Sequence, residues 1–340
     1  MWEKMMRIGP IDTDRKVFII AEIGNNHEGD GSVAEEMIGR AAESGADAVK
    51  FQTIVPERLV EPGQTERLKQ LRRLCLAPEV FPKLKETADK AGVLFLSTPF
   101  DLHSAAFLAP LVPAWKIASA DNDFLPLLDA VALTEKPVLL STGLSDRSQV
   151  VRALGYLLGA WAARGHSGQL ALMHCVSSYP TLPEQANLLA IRELSGLGKT
   201  VGYSDHTLGI EAAVLSVALG ARIVEKHFTL DKGFSDFRDH QLSADPREMT
   251  ELVRRIRQTE QMLGSGKKQI MPCEQNVAAQ ARRSAVAAQD LPQGALLDGN
   301  RIEWLRPGGG IPPSQANALI GRRLLRPLRR GERIDENLLA

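Results

Sequence analysis

Two pairs of polar residues sit two positions apart at the ends of apolar runs: Lys50 and Gln52 after Ala48–Phe51, and Glu225 and His227 within Arg222–Phe228. In an extended strand that spacing puts both members of a pair on one face. The other apolar runs end in the same manner. Val17–Ile23 leads into Ala21-Glu22-Ile23-Gly24-Asn25-Asn26-His27, and Val93–Ser97 into Ser97-Thr98-Pro99-Phe100. Trp115–Ala118 carries Lys116 and leads to Ser119, and Pro137–Ser141 ends in Ser141-Thr142-Gly143. Leu170–Val176 carries His174 and leads to Ser177-Ser178-Tyr179, while Thr200–Tyr203 leads to Ser204-Asp205-His206. Two lysines among several hydroxyls suit an anion carrying a phosphate and a carboxylate. His206 and His227, on neighbouring runs, are candidates for one divalent metal with open positions for water and substrate oxygens. Glu22 is a candidate general base or sugar-positioning carboxylate. A strand-end lysine has a second possible use, as the Schiff-base nucleophile of an aldolase.

Each residue alone has a plainer reading. A single lysine is often ion-paired, and a single histidine at a strand end is more often hydrogen-bonded than ligating. Eight polar ends converging on one place are harder to explain, because buried charge is costly unless paired or used. His27, His103, His174 and His240 are weaker candidates. Cys175 reads as a small buried apolar residue.

The elements that must bring these ends together alternate eight times along the chain. Helical patterns at Val33–Ser44, Glu79–Ala91, Ser148–Arg164, Ile210–Leu219 and Pro246–Leu263 separate the apolar runs, and glycines such as Gly45 and Gly220 close helices. Continuous apolar strands alternating with helices predict an α/β fold, a closed parallel (β/α)₈ barrel, over residues 1–265. An open doubly wound sheet is the alternative, but no GxGxxG follows the first run. Helix Glu248–Met262 reads as a shell helix with a solvated basic face. Gly264-Ser265-Gly266-Lys267-Lys268 opens a linker, 266–282. Residues 283–340 then alternate short runs (Ser284–Ala288, Arg301–Leu305, Arg322–Pro327) with turns, as a small β-rich domain does. A domain of that size has little core of its own.

Composition narrows the partners. The 340 residues are 44% hydrophobic and 24% charged, and 41 basic residues balance 41 acidic ones. That balance argues against a nucleic-acid or membrane-surface partner, while leaving room for a local basic pocket. Cys75, Cys175 and Cys273 are far apart and read as free thiols of a reducing compartment. No apolar run is long enough for a span and the start lacks a signal-peptide core, so a cytoplasmic location is expected.

The ordered motifs resemble the sialic acid (N-acetylneuraminate) synthase family, which includes pseudaminic and legionaminic acid synthases. The similarity runs from Ala21-Glu22-Ile23-Gly24-Asn25-Asn26-His27-Glu28-Gly29 and Ala46-Asp47-Ala48-Val49-Lys50-Phe51-Gln52 through Ser97-Thr98-Pro99-Phe100-Asp101, Lys116-Ile117-Ala118-Ser119 and Ser141-Thr142-Gly143. It continues in Gly202-Tyr203-Ser204-Asp205-His206-Thr207 and Glu225-Lys226-His227-Phe228-Thr229-Leu230-Asp231. Arg282-Arg283-Ser284 and Arg306-Pro307-Gly308-Gly309-Gly310 resemble the antifreeze-like (SAF, β-clip) domain that ends such synthases.

The resemblance implies a transferase that forms a C–C bond between phosphoenolpyruvate and an N-acyl amino-sugar aldehyde and releases phosphate. It implies phosphoenolpyruvate against Lys50, Gln52, Lys116, Ser119, Ser141, Ser177, Tyr179 and Ser204. It places Mn²⁺ or Mg²⁺ on His206 and His227, and the sugar against Glu22, Asp121 and Asp239. It also implies a domain-swapped homodimer in which Arg306 reaches the other subunit's sugar. Phe237-Arg238-Asp239-His240 departs from the Gly-Pro-Asp-His of many members, and Ser177 stands where some have Asn. A guanidinium in a loop facing the sugar suits an acceptor other than plain N-acetylmannosamine. Two rivals make different demands. A Schiff-base aldolase predicts borohydride trapping with pyruvate and indifference to chelators, and an inactive sugar-binding barrel would have lost some of Glu22, Lys50, Lys116, His206 and His227, all of which are present.

Overall fold

The computed structural model describes residues 6–340 and divides the chain into two compact units, Met1–Gly264 and Ser265–Ala340. Residues 1–5, part of the start read for a signal-peptide core, lie outside the described residues.

The first unit holds eight parallel strands. They are β1 (Phe18–Gly24), β2 (Ala48–Thr53), β3 (Leu94–Pro99), β4 (Trp115–Ile117), β5 (Val138–Ser141), β6 (Leu170–Cys175), β7 (Thr200–Asp205) and β8 (Ile223–His227). The ladder runs β3-β2-β1-β8-β7-β6-β5-β4, and its two outer strands pack together to round off a nearly closed barrel. The (β/α)₈ expectation holds, with strand limits within a residue or two of the apolar runs. The strands are continuously apolar because both faces are covered, by helices outside and by the other strands inside.

Helix starts are fixed by side chains. Asp30, Asp101, Asp146 and Asp245 each accept backbone N–H bonds at the start of Gly31–Glu43, Leu102–Leu108, Arg147–Ala162 and Pro246–Leu263. Helix Pro246–Leu263 buries Met249, Leu252 and Ile256 against the barrel. One of its basic residues is not solvated as expected. Arg257 reaches inward to the Val17 carbonyl and to Asp47 at 2.8 Å.

Alternation along the strands sorts the barrel interior into layers. Phe18, Ile20, Ala48, Leu96, Leu139, Ala171, Met173 and Ile223 form an apolar lower layer, which Met6 and Ile8 join from the N-terminal segment. Gly202 belongs to this layer because Met173 occupies the space of its missing side chain: a Cβ there would lie 2.3 Å from Met173 Sδ. One step further along the same faces come Glu22, Lys50, Thr98, Ser141, Ser204 and Glu225. The apolar layer is the floor on which the polar layer stands.

One excursion escaped the sequence pattern. Between β2 and the next shell helix, residues Pro56–Leu59 and Thr65–Leu74 form two extra helices, the second burying Leu68, Leu71 and Leu74.

In the second unit Ser284–Ala287 (β9) pairs antiparallel with Ile302–Leu305 (β10). Arg322–Pro327, expected as a strand, makes only isolated bridges, Arg323 with Leu296 and Leu324 with Leu339. A core of its own gathers Ala285, Leu297, Ile302, Leu319, Leu324 and Ile334. The expected linker 266–282 is not a plain connector. It contains a turn of 3₁₀ helix (Pro272–Glu274) and helix Gln275–Ala281, and the Ala279 carbonyl accepts from Gly308 N at 2.8 Å. Among the described residues no helix is long and apolar enough to cross a membrane.

Candidate active site

The carboxyl ends of the strands open into a cavity of about 980 Å³. Its wall includes Glu22, Lys50, Gln52, Lys116, Ser119, Ser141, Ser177, Tyr179, Ser204, His206, His227 and Asp239. These are twelve of the fourteen residues singled out from sequence. Asp121 is not on the wall. It sits in a one-turn 3₁₀ helix after β4, half-buried, and burial together with Asp123 pushes its carboxyl up to about 6. Arg306 lies in the other compact unit, exposed, at the end of β10. None of His27, His103, His174 and His240 lines the cavity. His27 is kept neutral by burial, with its pKa near 4, and His174 bonds the Ala186 carbonyl at 2.9 Å.

Four buried charges form the centre. Lys50 Nζ lies 2.7 Å from Glu22 Oε2, 3.7 Å from Glu225 Oε2 and 3.1 Å from Thr98 Oγ1. Lys116 Nζ lies 3.3 Å from Glu225 Oε1, which also accepts from Ser204 Oγ at 2.9 Å. Strand register produces this arrangement, since Glu22 faces Lys50 across β1 and β2 and Glu225 faces Ser204 across β7 and β8.

The two carboxylates differ. Burial raises both, but Glu225 lies between two ammonium groups and a hydroxyl and is pulled down to about 2. Glu22 has Lys50 on one side and Gln52 Nε2 at 3.2 Å on the other, and burial wins, pushing it up to about 7. Lys50 remains an ammonium ion, because the two carboxylates outweigh burial and raise its pKa. An amine held in that form does not attack a carbonyl, which counts against Lys50 as a Schiff-base nucleophile.

Beside this cluster the β4, β5 and β6 ends build a hydroxyl-lined recess. Gly143 N donates to Ser119 Oγ at 3.2 Å. A Cβ on Gly143 would meet Ser177 Oγ at 2.6 Å and Ser119 Oγ at 2.7 Å, so glycine keeps the recess open. Cys175, taken from sequence as a plain apolar residue, instead faces this wall. Its Sγ accepts from Ser119 Oγ at 3.6 Å and lies 3.7 Å from His206 Nδ1.

His206 and His227 come together at neighbouring strand ends, with ring centroids 5.4 Å apart. His206 Nδ1 donates to the Val176 carbonyl at 2.8 Å, which leaves Nε2 as the ring's lone-pair nitrogen. Burial lowers its pKa, but Cys175 and the Val176 carbonyl outweigh that and the net shift is upward. His227 is held neutral by burial and by the neighbouring His206, and its Nδ1 is buried without a hydrogen-bond partner. An orphaned imidazole nitrogen beside a tautomer-fixed one suits metal ligation. Among the described residues no group of three His, Cys, Asp or Glu side chains gathers to hold an ion. Two protein ligands would therefore leave the remaining positions to water and substrate. Behind the histidines, Asp205 takes Lys226 Nζ at 3.0 Å and the Thr207 N–H at 2.9 Å, which ties the two strand ends together.

The loop after β8 forms the outer wall with Phe237, Arg238 and Asp239. Arg238 lies over the Tyr179 ring at 5.2 Å and pairs with Asp239 at 3.3 Å, and the Tyr179 ring lies 4.2 Å from that of His206. Burial raises the Asp239 carboxyl. Opposite in the chain, the excursion after β2 adds Leu59, Arg67, Gln70, Leu71, Arg73 and Leu74 to the wall. Sequence reasoning assigned no role to Glu225, Asn25 or these excursion residues. The two-residue spacing from His227 marks Glu225, and the three-residue spacing of Leu68, Leu71 and Leu74 marks the excursion helix.

A parallel barrel with paired ammonium groups, carboxylates and imidazoles at its strand ends has the architecture of a barrel enzyme. Residues 37–268 match the NeuB family and residues 282–340 match the SAF domain. The chain is 39% identical, over 94% of both chains, to the N,N'-diacetyllegionaminic acid synthase of Legionella pneumophila. It is 33% identical to the N-acetylneuraminate-9-phosphate synthase of Homo sapiens, over 95% of this chain and 92% of that one. The crystal structure of the N-acetylneuraminic acid (sialic acid) synthetase of Leptospira borgpetersenii in complex with citrate superposes with a TM-score of 0.75. The two are 36% identical, and the match covers 81% of this chain and 95% of that one. The chain belongs to the NeuB family and ends in a SAF domain.

Proposed function

We propose that this chain is a nonulosonic acid synthase that condenses phosphoenolpyruvate with an N-acyl amino-sugar aldehyde and releases phosphate. The observation that carries the reading is the buried cluster of Glu22, Lys50, Glu225 and Lys116 beside the recess of Ser119, Ser141 and Ser177. With Glu22 protonated, two ammonium groups face one carboxylate, and the cluster attracts an anion. Lys50 and Lys116 then take the negative groups of phosphoenolpyruvate, and the hydroxyls with the Gly143 turn take oxygens that remain. Gln52, Tyr179 and Ser204 complete that half of the cavity.

Asp239 and Glu22 hold hydroxyls of the open-chain sugar, and Arg238 makes the outer end cationic. A divalent cation, Mn²⁺ or Mg²⁺, held by His206 and His227 would supply Lewis-acid polarisation of the aldehyde. The enol carbon of phosphoenolpyruvate attacks the aldehyde carbon, and the new alkoxide oxygen takes a proton. Water adds, giving up a proton, to the neighbouring carbon that bears the phosphate, and phosphate leaves from that carbon by C–O cleavage to give the keto acid. Glu22, titrating near neutrality, is the group able both to hold a proton and to return it. We propose further that the active form is a domain-swapped homodimer, in which the partner subunit's Arg306 completes the sugar site.

The test is phosphate release from phosphoenolpyruvate in the presence of a panel of six-carbon amino sugars, neutral and phosphorylated. Condensation product with at least one of them is expected. Pyruvate trapped on the protein by borohydride would support the aldolase instead.

A further inference from the structure

The segment after β1 turns sharply at Glu28, which adopts a left-handed backbone (φ 46°), and at Gly29 (φ 84°). A Cβ on Gly29 would lie 2.4 Å from the Arg73 carbonyl oxygen, so the turn is pressed against the end of the excursion helix Thr65–Leu74. From this turn the Glu28 side chain enters the cavity wall and meets two other loops. Its Oε2 pairs with Arg73 at 3.7 Å. Its Oε1 accepts from Ser235 Oγ and lies 3.3 Å from His240 Nε2, both in the loop after β8. His240 is fully buried and its Nδ1 bonds Thr229 Oγ1 at 2.7 Å, so this contact reaches the root of the β8 loop.

The geometry points to Glu28 as a positioning residue for the acceptor. It ties the excursion helix to the loop that bears Arg238 and Asp239, and so sets the width of the cavity's outer end. Among the described residues, no other cavity-wall side chain is hydrogen-bonded or ion-paired to both the excursion helix and that loop. A carboxylate suits the task because its two oxygens can serve both partners at once, while the left-handed backbone aims it between them. A non-glycine residue in that conformation carries strain, which the three contacts offset. This inference rests on the reading that Arg238 and Asp239 face the acceptor sugar.

The test compares Glu28→Ala, which breaks both ties, with Glu28→Gln, which keeps hydrogen bonds to Ser235 and His240 but loses the charge pair with Arg73. In the full chain, Glu28→Ala should raise KM for the amino sugar about tenfold while KM for phosphoenolpyruvate stays within about twofold. Glu28→Gln, which gives up the tie to Arg73, should show most of the same rise, and a wild-type KM for the amino sugar in Glu28→Gln would overturn the tie to the excursion helix. Hydrogen exchange gives the second readout: amides of 65–74 and of 234–242 should lose protection together in Glu28→Ala, with the barrel strands unchanged. Equal rises in both KM values, or loss of protection throughout the barrel, would make Glu28 a general structural residue and overturn the proposal. Loss in one segment alone would overturn the tie. If the wild-type chain does not condense phosphoenolpyruvate with any amino sugar, the functional reading fails, while exchange still decides whether Glu28 couples the two segments.

Discussion

Lys50 Nζ lies 2.7 Å from Glu22 Oε2, and the two residues face each other across neighbouring strands with almost no solvent access. A buried ion pair of this kind is on the order of several kcal/mol costly to break from one side, because the survivor is left charged and unpaired. Here Glu225 is the reserve, 3.7 Å from the same ammonium group, so Glu22 can take a proton without stranding Lys50. That redundancy separates a group that titrates from one that only holds its neighbour in place.

Glu22→Gln should therefore lower kcat by about 10²-fold or more while leaving the fold intact. The stability effect has a definite sign. The folded carboxyl titrates near 7, above its ordinary value of 4.5, so ionising it weakens the native state as pH rises between those values. Glutamine has no such loss. Its Tm relative to wild type should be close to zero difference at pH 5 and clearly positive at pH 8. A Tm difference that does not change with pH, or an unchanged kcat, would leave Glu22 as a spectator.

Gly143→Ala tests the recess. The added methyl would press on Ser177 Oγ and Ser119 Oγ, which can rotate away, and would lie 3.2 Å from the Cys175 carbonyl oxygen, which must give slightly, so the fold should survive with some loss of stability. The expected outcome is a rise of about tenfold or more in KM for phosphoenolpyruvate, with KM for the sugar little changed. Steady-state kinetics with each substrate varied in turn decides it.

Most of this site was readable from residue types because a barrel sends every second residue of every strand to one mouth. Lys50 with Gln52, and Glu225 with His227, keep that spacing in the structure. What was not readable depends on elements without a strand's periodicity. The excursion at 54–78 interrupts the strand–helix rhythm, and its contribution of Arg67 and Arg73 to the wall follows only from its fold. Gly308 and Gly310 make room within their own unit, where a Cβ would meet the Ala279 carbonyl at 3.0 Å and Arg333 Cδ at 2.9 Å, a close packing that the glycine run by itself does not specify. Asp121 carries the right charge in the right part of the chain, yet a single 3₁₀ turn takes it off the cavity wall.

The metal reading predicts that EDTA abolishes activity and that Mn²⁺ or Mg²⁺ restores it. His206→Ala or His227→Ala should lower the metal retained after gel filtration by about tenfold or more, with far-UV circular dichroism unchanged. Full activity in a sample shown by elemental analysis to be metal-free would sink the reading.

Arg238→Ala addresses the acceptor. The guanidinium lies over Tyr179 beside Asp239, at the cavity's outer end. If it reads an anionic substituent, its removal should raise KM for that acceptor about tenfold and spare phosphoenolpyruvate. Equal effects on both substrates, or no effect on either, would return a neutral N-acetylmannosamine-type acceptor to first place.

The swapped arrangement makes the sharpest demand, because it needs one residue from each subunit at every site. Arg306 is exposed at the end of β10, and the turn that follows is pinned within its own unit. Ser284 Oγ donates to the Pro307 carbonyl at 2.9 Å and accepts from Gly310 N at 3.0 Å, while Gly308 N donates to the Ala279 carbonyl at 2.8 Å. A long cation on a fixed turn loses little further backbone freedom on docking, which suits a residue lent to another pocket. Glu22→Ala and Arg306→Ala homodimers should each be nearly inactive. Mixed and allowed to exchange, they form heterodimers. If the partner subunit's Arg306 serves each site, one of the two sites then has both residues intact and the other lacks both. Activity should recover toward about half the wild-type value per heterodimer, since one site of a symmetric pair is restored. If Arg306 serves its own barrel, every site in the heterodimer carries one defect, and mixing restores nothing. Subunit exchange is verified by mass spectrometry of differently tagged chains, so absence of recovery after complete exchange would refute the swap.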